Sequence, residues 1–475
     1  MSQSISREQD EPTEGITGIS VRGYKSLYEE RSIEIRPLTI LAGANSSGKS
    51  SMMQPLLLIK QTLEAPYDPG ALLLNGPNVR LTSIAQMLSR IDEKQSADHF
   101  SLSIEIDRDN SITNIYQKSP KGIMDIVETT IQKGDRSMSY SPDSSRDDIW
   151  QELRKSYKKD ELFVYSKITK NNQKSDLKTT IYRDRSFLIF QYSSLFNVDY
   201  KVDLMEEINP IQYLEKIDVT IYDSSSKTSL FAEQIRKLIH VPAGRGKPER
   251  SYPMTAIGSA FPGTFENYVA SIVKDWQDSE DDRLTELGKA LEVLGLNWTV
   301  QAKQFNNDVQ IELLVGRLPR NSKNETENLV SIADVGFGLS QVLPVVVALL
   351  VAEPGQLVYL EQPEIHLHPR AQAALAGVLA DAANRGVRVV IETHSDLLLR
   401  RVQSLVAEGK LSPEKLKLHW FSLRDDGVTE VNSAELDDSG AFGEWPEDFS
   451  DVALEEEGRY LDAAESRLAE RCYAS

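Results

Sequence analysis

The sequence predicts an α/β protein built on a parallel sheet that carries a phosphate-binding loop. Three observations support this. The apolar stretch Leu38-Thr-Ile-Leu41 runs into a glycine-containing loop, and residues 52–63 then place apolar side chains at helical spacing. Farther on, residues 342–350 read as a buried helix, 357–360 as a buried strand, 371–383 as a helix and 387–391 as another buried strand. Strands joined through helices run parallel, with right-handed crossovers. The composition is that of a folded chain: of 475 residues, 40% are hydrophobic and 26% charged, which excludes collagen-like, disulfide-scaffold and wholly disordered classes.

The remaining elements follow in order. Residues 1–15 are polar and acidic and read as a disordered leader. Ile16, Ile19 and Val21 mark a strand. Residues 66–82 are punctuated by Pro and Gly and read as turns between short strands. In the middle, 102–106, 163–165, 187–190 and 219–222 alternate as strands do, separated by Ser/Asp/Lys-rich loops. Leu284, Leu287, Leu291 and Leu294 form one apolar helix face, and 309–315 reads as a strand. There is no internal repeat and no heptad run, so no long coiled coil is expected.

Charge and cysteine usage narrow the function classes. The net charge is −19, and residues 425–475 hold 16 acids against 3 bases. A protein of that charge does not coat DNA non-specifically, because phosphates need cationic partners. Residues 154–185 run the other way, with 10 bases and 4 acids, a patch that suits either nucleic acid or a solvated loop face. The longest apolar run, 342–352, is eleven residues with Pro344 inside, whereas a membrane span needs about 20. The single cysteine, Cys472, excludes an internal disulfide and a multi-cysteine zinc site, and a cytoplasmic location is expected.

Gly43-Ala44-Asn45-Ser46-Ser47-Gly48-Lys49-Ser50 fits G-x-x-x-x-G-K-[ST] without a mismatch, and Ser51 continues it into the helix. Glycines let backbone N–H groups turn inward around phosphate oxygens, and the helix N-terminus adds favourable partial charge. Lys49 would reach the β- and γ-phosphates, and the Ser50 hydroxyl would ligate Mg²⁺. Glu361 ends the strand at 357–360, where a carboxylate can hold Mg²⁺. Gln362 and Glu364 follow it. Gly336, Gly338 and Ser340 precede a buried helix, an anion-ready arrangement that a plain helix cap would also explain. His394 directly follows a buried strand, where a histidine can bond a γ-phosphate or orient water. His366 and His368 lie two apart near Glu364, but a third strong metal ligand is missing.

Together these elements resemble the ABC-type ATPases, in the SMC-like branch that includes the DNA-repair and OLD-family ATPases. The order matches: phosphate loop, long insertion, signature motif, Walker B strand, D-loop and switch histidine, with Lys49 and Glu361 312 residues apart. The resemblance implies an ATPase head with a P-loop parallel-sheet core, an antiparallel β subdomain and a mixed α+β insertion. It divides the chain into the leader, 16–100 and 326–424 as the two parts of the head, 101–325 as the insertion lobe, and 425–475 as an acidic tail. It implies ATP and Mg²⁺ as ligands, with Lys25, in Val21-Arg-Gly-Tyr-Lys25-Ser26, approaching the nucleotide. Gly336, Gly338 and Ser340 take the signature position, which contacts the nucleotide of an opposing subunit, and His368 lies in the D-loop position. A homodimer or higher homo-oligomer follows.

One departure bears on the chemistry. The family usually ends the Walker B strand with two carboxylates, the second polarising the attacking water; here the pair is Glu361-Gln362. Glutamine cannot accept a proton as a general base. Either Glu364 or His394 compensates, or hydrolysis is slow and ATP binding itself is the signal. About 80 residues follow His394 without an Asp-x-Asp set, too few for the nuclease domain that OLD-family proteins append, so a nuclease would belong to a separate partner. The short acidic tail with Trp445-Pro446 resembles that of stand-alone ATPases of bacterial anti-phage defence. Two functions remain open: a nucleotide-gated sensor or scaffold controlling a separate effector, and an SMC-like ATPase acting on DNA in repair or recombination.

Overall fold

The computed structural model describes residues 15–91, 96–107, 109–145, 148, 151, 176–201, 212–223, 225–296, 299–305, 309–316, 329–443, 458–461 and 463. In chain order the strands are β1 (Ile16–Arg22), β2 (Arg31–Glu34), β3 (Leu38–Gly43), β4 (His99–Ile106), β5 (Asn110–Lys118), β6 (Met124–Lys133), β7 (Arg136–Tyr140), β8 (Asp176–Asp184), β9 (Phe187–Lys201), β10 (Gln212–Asp223), β11 (Ile239–Val241), β12 (Tyr252–Pro253), β13 (Val300–Phe305), β14 (Gln310–Gly316), β15 (Leu329–Ser331), β16 (Leu357–Glu361), β17 (Arg388–Glu392), β18 (Leu416–Leu423) and β19 (Thr429–Ala434). The helices are α1 (Lys49–Glu64), α2 (Ser225–Lys237), α3 (Glu266–Asp278), α4 (Asp282–Val293), α5 (Phe337–Val351), α6 (Pro369–Asn384) and α7 (Asp396–Ala407).

The core sheet has the order β11-β16-β17-β3-β18-β19. Its first five strands pair in parallel and β19 closes the edge antiparallel. Parallel strands are covered on both faces and read as continuous apolar runs. Alternation then sorts the side chains. Ile40, Val358, Leu360, Val389 and Ile391 face a core built with α3 to α7, while Leu41, Tyr359 and Val390 face a core shared with α1, α2 and a second sheet. That second sheet, β2-β1-β4-β5-β6-β7, is antiparallel throughout. The observed architecture is the mixed α/β one, with a parallel core and an antiparallel subdomain.

Several expectations are corrected. Residues 239–241, assigned on sequence to the 101–325 lobe, form the edge strand β11 of the core sheet; three residues are too few to show a period. The boundary at 100/101 cuts through β4, which pairs with β1. Residues 425–475 are not all tail, because β19 lies inside that range and Thr429 is fully buried. Residues 66–82 hold only an isolated bridge between Asn75 and Arg80. That segment is organised by the buried Gln61 amide, which donates to Leu73 O at 2.5 Å and accepts from Val79 N at 2.9 Å. The leader residues 1–14, the 163–165 strand, Trp445-Pro446, Cys472 and most of the basic 154–185 stretch lie outside the described residues.

Among the described residues, the two arginines of that stretch, Arg183 and Arg185, are both engaged. Arg185 Nη1 donates to Thr62 O, Leu63 O and Ala65 O at 2.7–3.0 Å, closing the C-terminus of α1, where cations and donors are favoured. Arg183 makes two bonds to Asp68. The other side of α1 is tied down by a buried Lys60–Glu64 pair, with Lys60 also donating to Arg236 O at 3.1 Å. The C-terminal end of the helix that starts at the glycine loop is thus fixed. Among the described residues no helix is long and apolar enough to cross a membrane.

Beside β3, the buried His419 of β18 faces Glu34 O with Nε2 at 2.9 Å and Ser433 Oγ with Nδ1 at 2.8 Å. A carbonyl only accepts, so Nε2 carries the proton and Nδ1 accepts from the hydroxyl. Burial lowers the His419 pKa from 6.5 to about 4, against an opposing contribution from the Glu34 carbonyl. The unfolded chain therefore binds a proton that the folded chain refuses between those values. This stability is complete above pH 6.5 and is lost as pH falls toward 4, by roughly 3 kcal/mol in all. Urea melts at pH 7 and pH 4.5 are expected to show the wild type losing about 2 kcal/mol more than His419→Gln. Equal losses would contradict the assignment.

Candidate functional site

The glycine loop connects β3 to α1 through three left-handed residues, Gly43 (φ 137°), Ser46 (φ 64°) and Gly48 (φ 104°). A Cβ on Gly43 would come within 2.1 Å of Phe421 O, and one on Gly48 within 2.4 Å of Thr429 Oγ1. Backbone from β18 and the Thr429 side chain of β19 thus press against the loop, and only glycine fits. Thr429 Oγ1 lies 2.9 Å from Ser47 O and 2.8 Å from Ser26 Oγ, joining the loop, the turn after β1 and the sheet edge. Lys49 is buried and folds back over the loop, donating to Gly43 O at 3.0 Å and Ala44 O at 2.7 Å. Burial lowers its pKa, and the nearby Glu392 opposes this. Lys25 (φ 49°) reaches Gln54 of α1 at 2.5 Å, one turn beyond Ser50, and burial lowers its pKa as well.

Beyond the loop, β16 and β17 end side by side, with Glu361 and Glu392 paired in register. Glu361 is turned toward β11. Its Oε1 meets His240 Nε2 at 3.1 Å and its Oε2 accepts from Ala243 N at 3.2 Å. Burial alone would raise the Glu361 pKa, but these bonds, the His240 charge and Arg245 outweigh it and hold the carboxyl below its usual range. His240 stacks on Tyr359, with ring centroids 5.2 Å apart. The Ser50 hydroxyl donates instead to Glu392 Oε2 at 2.8 Å, and the Tyr359 hydroxyl donates to Glu392 Oε1. Burial pushes Glu392 up to about 7, against the Tyr359 bond, with the Glu361 charge adding to the rise.

The turn after β16 links to the switch loop. Gln362 is left-handed (φ 42°), and its N–H donates to Glu392 O at 2.9 Å. Glu364 is buried, and its Oε1 accepts from Thr393 Oγ1 at 2.6 Å and from His394 N at 3.1 Å. Glu364 therefore positions His394. Burial lowers the His394 pKa and the Lys49 charge adds to that, with Gly43 opposing.

Two sets of sequence-predicted residues are therefore joined and one stands apart. The loop 43–51, Glu361, Gln362, Glu364 and His394 share the C-terminal edge of the core sheet. Gly336, Gly338 and Ser340 open α5 at another place, where Ser340 Oγ bonds Phe337 O at 2.9 Å and the exposed Phe337 ring meets His366 edge-on at 4.9 Å. His368 caps α6, accepting from Arg370 N at 3.3 Å. His366 and His368 lie in a turn, and among the described residues no group of three His, Cys, Asp or Glu side chains is placed to hold a metal. A cation here would take hydroxyl and carboxylate oxygens, completed by phosphate and water, which is the donor set that suits Mg²⁺.

Sequence reasoning missed His240, Arg245 and Glu392. Arg245 is buried, and its Nη2 donates to Gln362 O at 2.9 Å. The same loop accepts at Gly246 O from Gln341 of α5 (3.1 Å), and Arg250 grips Asp334 with bonds of 2.7 and 3.0 Å. One short segment thus touches both the β16 end and the approach to α5. Glu392 had a readable signal: like Glu361, it is a charged residue that directly follows a run of apolar strand residues.

A family model described as "AAA domain, putative AbiEii toxin, Type IV TA system" matches residues 38–400. A comparison with curated proteins returns no match. Among solved structures, an SmcHead bound to the C-winged helix domain of ScpA is 12% identical, covering 89% of this chain and 98% of that one at a TM-score of 0.45. An Smc head domain from Pyrococcus furiosus with an extended coiled coil, bound to the C-terminal domain of ScpA, is 11% identical, with coverages of 95% and 100% and a TM-score of 0.43. The SMC head domain from Thermotoga maritima is 9% identical, with coverages of 88% and 98% and a TM-score of 0.35.

The crowding at the loop gives a stability test. Gly48→Ala adds both left-handed strain and a clash with Thr429, whereas a methyl group on Gly122 (φ 78°) would meet nothing within 4 Å. Urea melts are expected to show Gly48→Ala costing at least about 1 kcal/mol more than Gly122→Ala. Equal costs would mean that the loop has slack that the packing does not show.

Proposed function

The chain belongs to the AAA-domain family whose model spans most of its length and is an ATPase of that type, and on this premise we propose that it is a nucleotide-gated scaffold or sensor. In this reading it holds ATP with Mg²⁺ at residues 43–51 and controls a separate effector, of the nuclease class, in bacterial anti-phage defence. The family description, which names a "putative AbiEii toxin, Type IV TA system", supports a role in a toxin–antitoxin setting. The observation that carries the proposal is the hydrogen-bonded junction of Ser50, Glu392, Glu364 and His394 beside Lys49.

The residues divide the work. Backbone N–H groups of 43–51 and the N-terminus of α1 would hold phosphate oxygens, and Lys49 would leave Gly43 O and Ala44 O to meet them. Bound Mg²⁺ supplies charge neutralisation across the β- and γ-phosphates. His394, held by Glu364, would bond the γ-phosphate, and Gln362 would orient water without accepting its proton. Glu364 gives only Oε1 to Thr393 and His394 and its buried Oε2 has no partner among the described residues, while Gln362 replaces the usual second carboxylate, a substitution that supports slow turnover and signalling by bound ATP.

Pairing completes the site in this proposal. Gly336, Gly338, Ser340 and His368 would meet the nucleotide of a second copy, giving a homodimer or a larger assembly. The alternative of direct action on DNA rested on residues 154–185. Of the ten bases there, Arg183 and Arg185 are committed to Asp68 and to the end of α1.

Equilibrium binding and steady-state hydrolysis by the purified chain test the proposal. Lys49→Ala is expected to weaken ATP binding at least about 100-fold, and Gln362→Glu to raise turnover about tenfold or more. Undiminished binding by Lys49→Ala would sink the nucleotide site. A Gln362→Glu variant slower than wild type would mean that the glutamine is itself the better catalyst. Ser340→Arg is expected to keep ATP binding and abolish ATP-dependent pairing in sedimentation, and a variant that still pairs would contradict the composite site.

A further inference from the structure

We infer that Glu392, on the strand next to the loop strand, is the carboxylate that holds Mg²⁺ together with Ser50, while Glu361 is kept back by His240. The inference rests on the nucleotide reading above and assigns the metal's protein ligand within it.

Sheet order favours Glu392. β17 lies between β16 and β3, so Glu392 is one strand from the loop strand and Glu361 is two. Neighbouring strands are about 4.8 Å apart, so Glu392 starts roughly that much closer to α1. Hydrogen bonding points the same way. Ser50 Oγ, the hydroxyl that the loop offers to the cation, already rests on Glu392 Oε2 at 2.8 Å. Glu361 has both oxygens engaged elsewhere, by His240 Nε2 and Ala243 N. Freeing it would break the bonds that also organise β11 and the following loop.

Electrostatics adds a third reason. Glu392 is 4% exposed, and its two hydrogen-bond donors are the neutral hydroxyls of Ser50 and Tyr359. No direct ion pair to it forms among the described residues; Lys49 is near enough for its charge to be felt but is drawn to Gly43 O and Ala44 O. A buried carboxylate is costly unless a cation compensates it. A dication between Ser50 and Glu392 would do so, leaving phosphate oxygens and water to complete six oxygens around it.

The test reads metal linkage without turnover. AMP-PNP affinity is measured by calorimetry in EDTA and in Mg²⁺, and the ratio is the metal enhancement. For the wild type an enhancement of about tenfold or more is expected, falling below about threefold in Glu392→Gln and staying within about threefold of wild type in Glu361→Gln. Metal-free affinity near wild type in Glu392→Gln shows that the cradle is intact. Should that variant lose metal-free binding too, Glu392→Asp decides: it keeps the charge, withdraws the oxygens by one methylene, and is expected to give an intermediate enhancement. Full enhancement in Glu392→Gln, or a loss in Glu361→Gln equal to that in Glu392→Gln, would overturn the assignment. A wild-type chain that binds no AMP-PNP in either condition would overturn the nucleotide reading itself, which is a different failure.

Discussion

The parallel pairing of β17 with both β16 and β3 is the constraint on which the site depends. It brings residue 392 beside 361 on one side and beside 41 on the other, although these lie far apart in the chain. Backbone hydrogen bonds set the register, and apolar side chains on both faces hold it, with Val358, Val389 and Ile391 fully buried. A slip of one residue would exchange the faces and turn every polar terminus away from the loop. The cradle therefore owes its geometry to a core assembled from segments more than 300 residues apart, and its own sequence is only part of the cause.

The polar groups at that edge are tied to one another. Glu361 holds His240, Glu364 holds the backbone of His394, and Glu392 holds Ser50. The loop after β11 adds Arg245 on Gln362 O and Arg250 on Asp334, so the end of β16 and the approach to α5 share one short connection. In a composite dimer those two places would face different nucleotides. A shift at one has a direct covalent and hydrogen-bonded route to the other, which fits a switch better than a motor. Connection is not yet coupling, whose energy is read from double-mutant cycles across the two places.

How much of this was legible follows from the range of each interaction. The loop, the helix behind it, the strand ending in Glu361 and the strand before His394 each declare themselves within about ten residues, through apolar periodicity and glycine spacing. The antiparallel strands β5 to β7 are harder to read: they carry one buried face of few apolar residues among Ser, Thr and Asn. β11 is too short to have a period, and its importance comes from β16, over 110 residues later. Glu392 is masked in the sequence by the more conspicuous Thr393-His394 after it, although Leu357-Val-Tyr-Leu-Glu361 and Arg388-Val-Val-Ile-Glu392 share one pattern. The roles of Arg183 and Arg185 could not be read at all, since a surface charge run and a helix clamp look alike until the helix end is placed beside them.

The most direct test of the account is hydrogen–deuterium exchange on the wild-type chain, with and without ATP and Mg²⁺. The account predicts slowed exchange in 43–51 and around 392–395, where phosphate oxygens would take up the loop amides. It also predicts slowed exchange in 336–340, where a second copy closing over the nucleotide would cover the start of α5. Protection at the loop without protection at 336–340 would leave a nucleotide site within a single chain and remove the composite one. No change at 43–51 would contradict the central claim that this edge of the sheet is built to hold ATP.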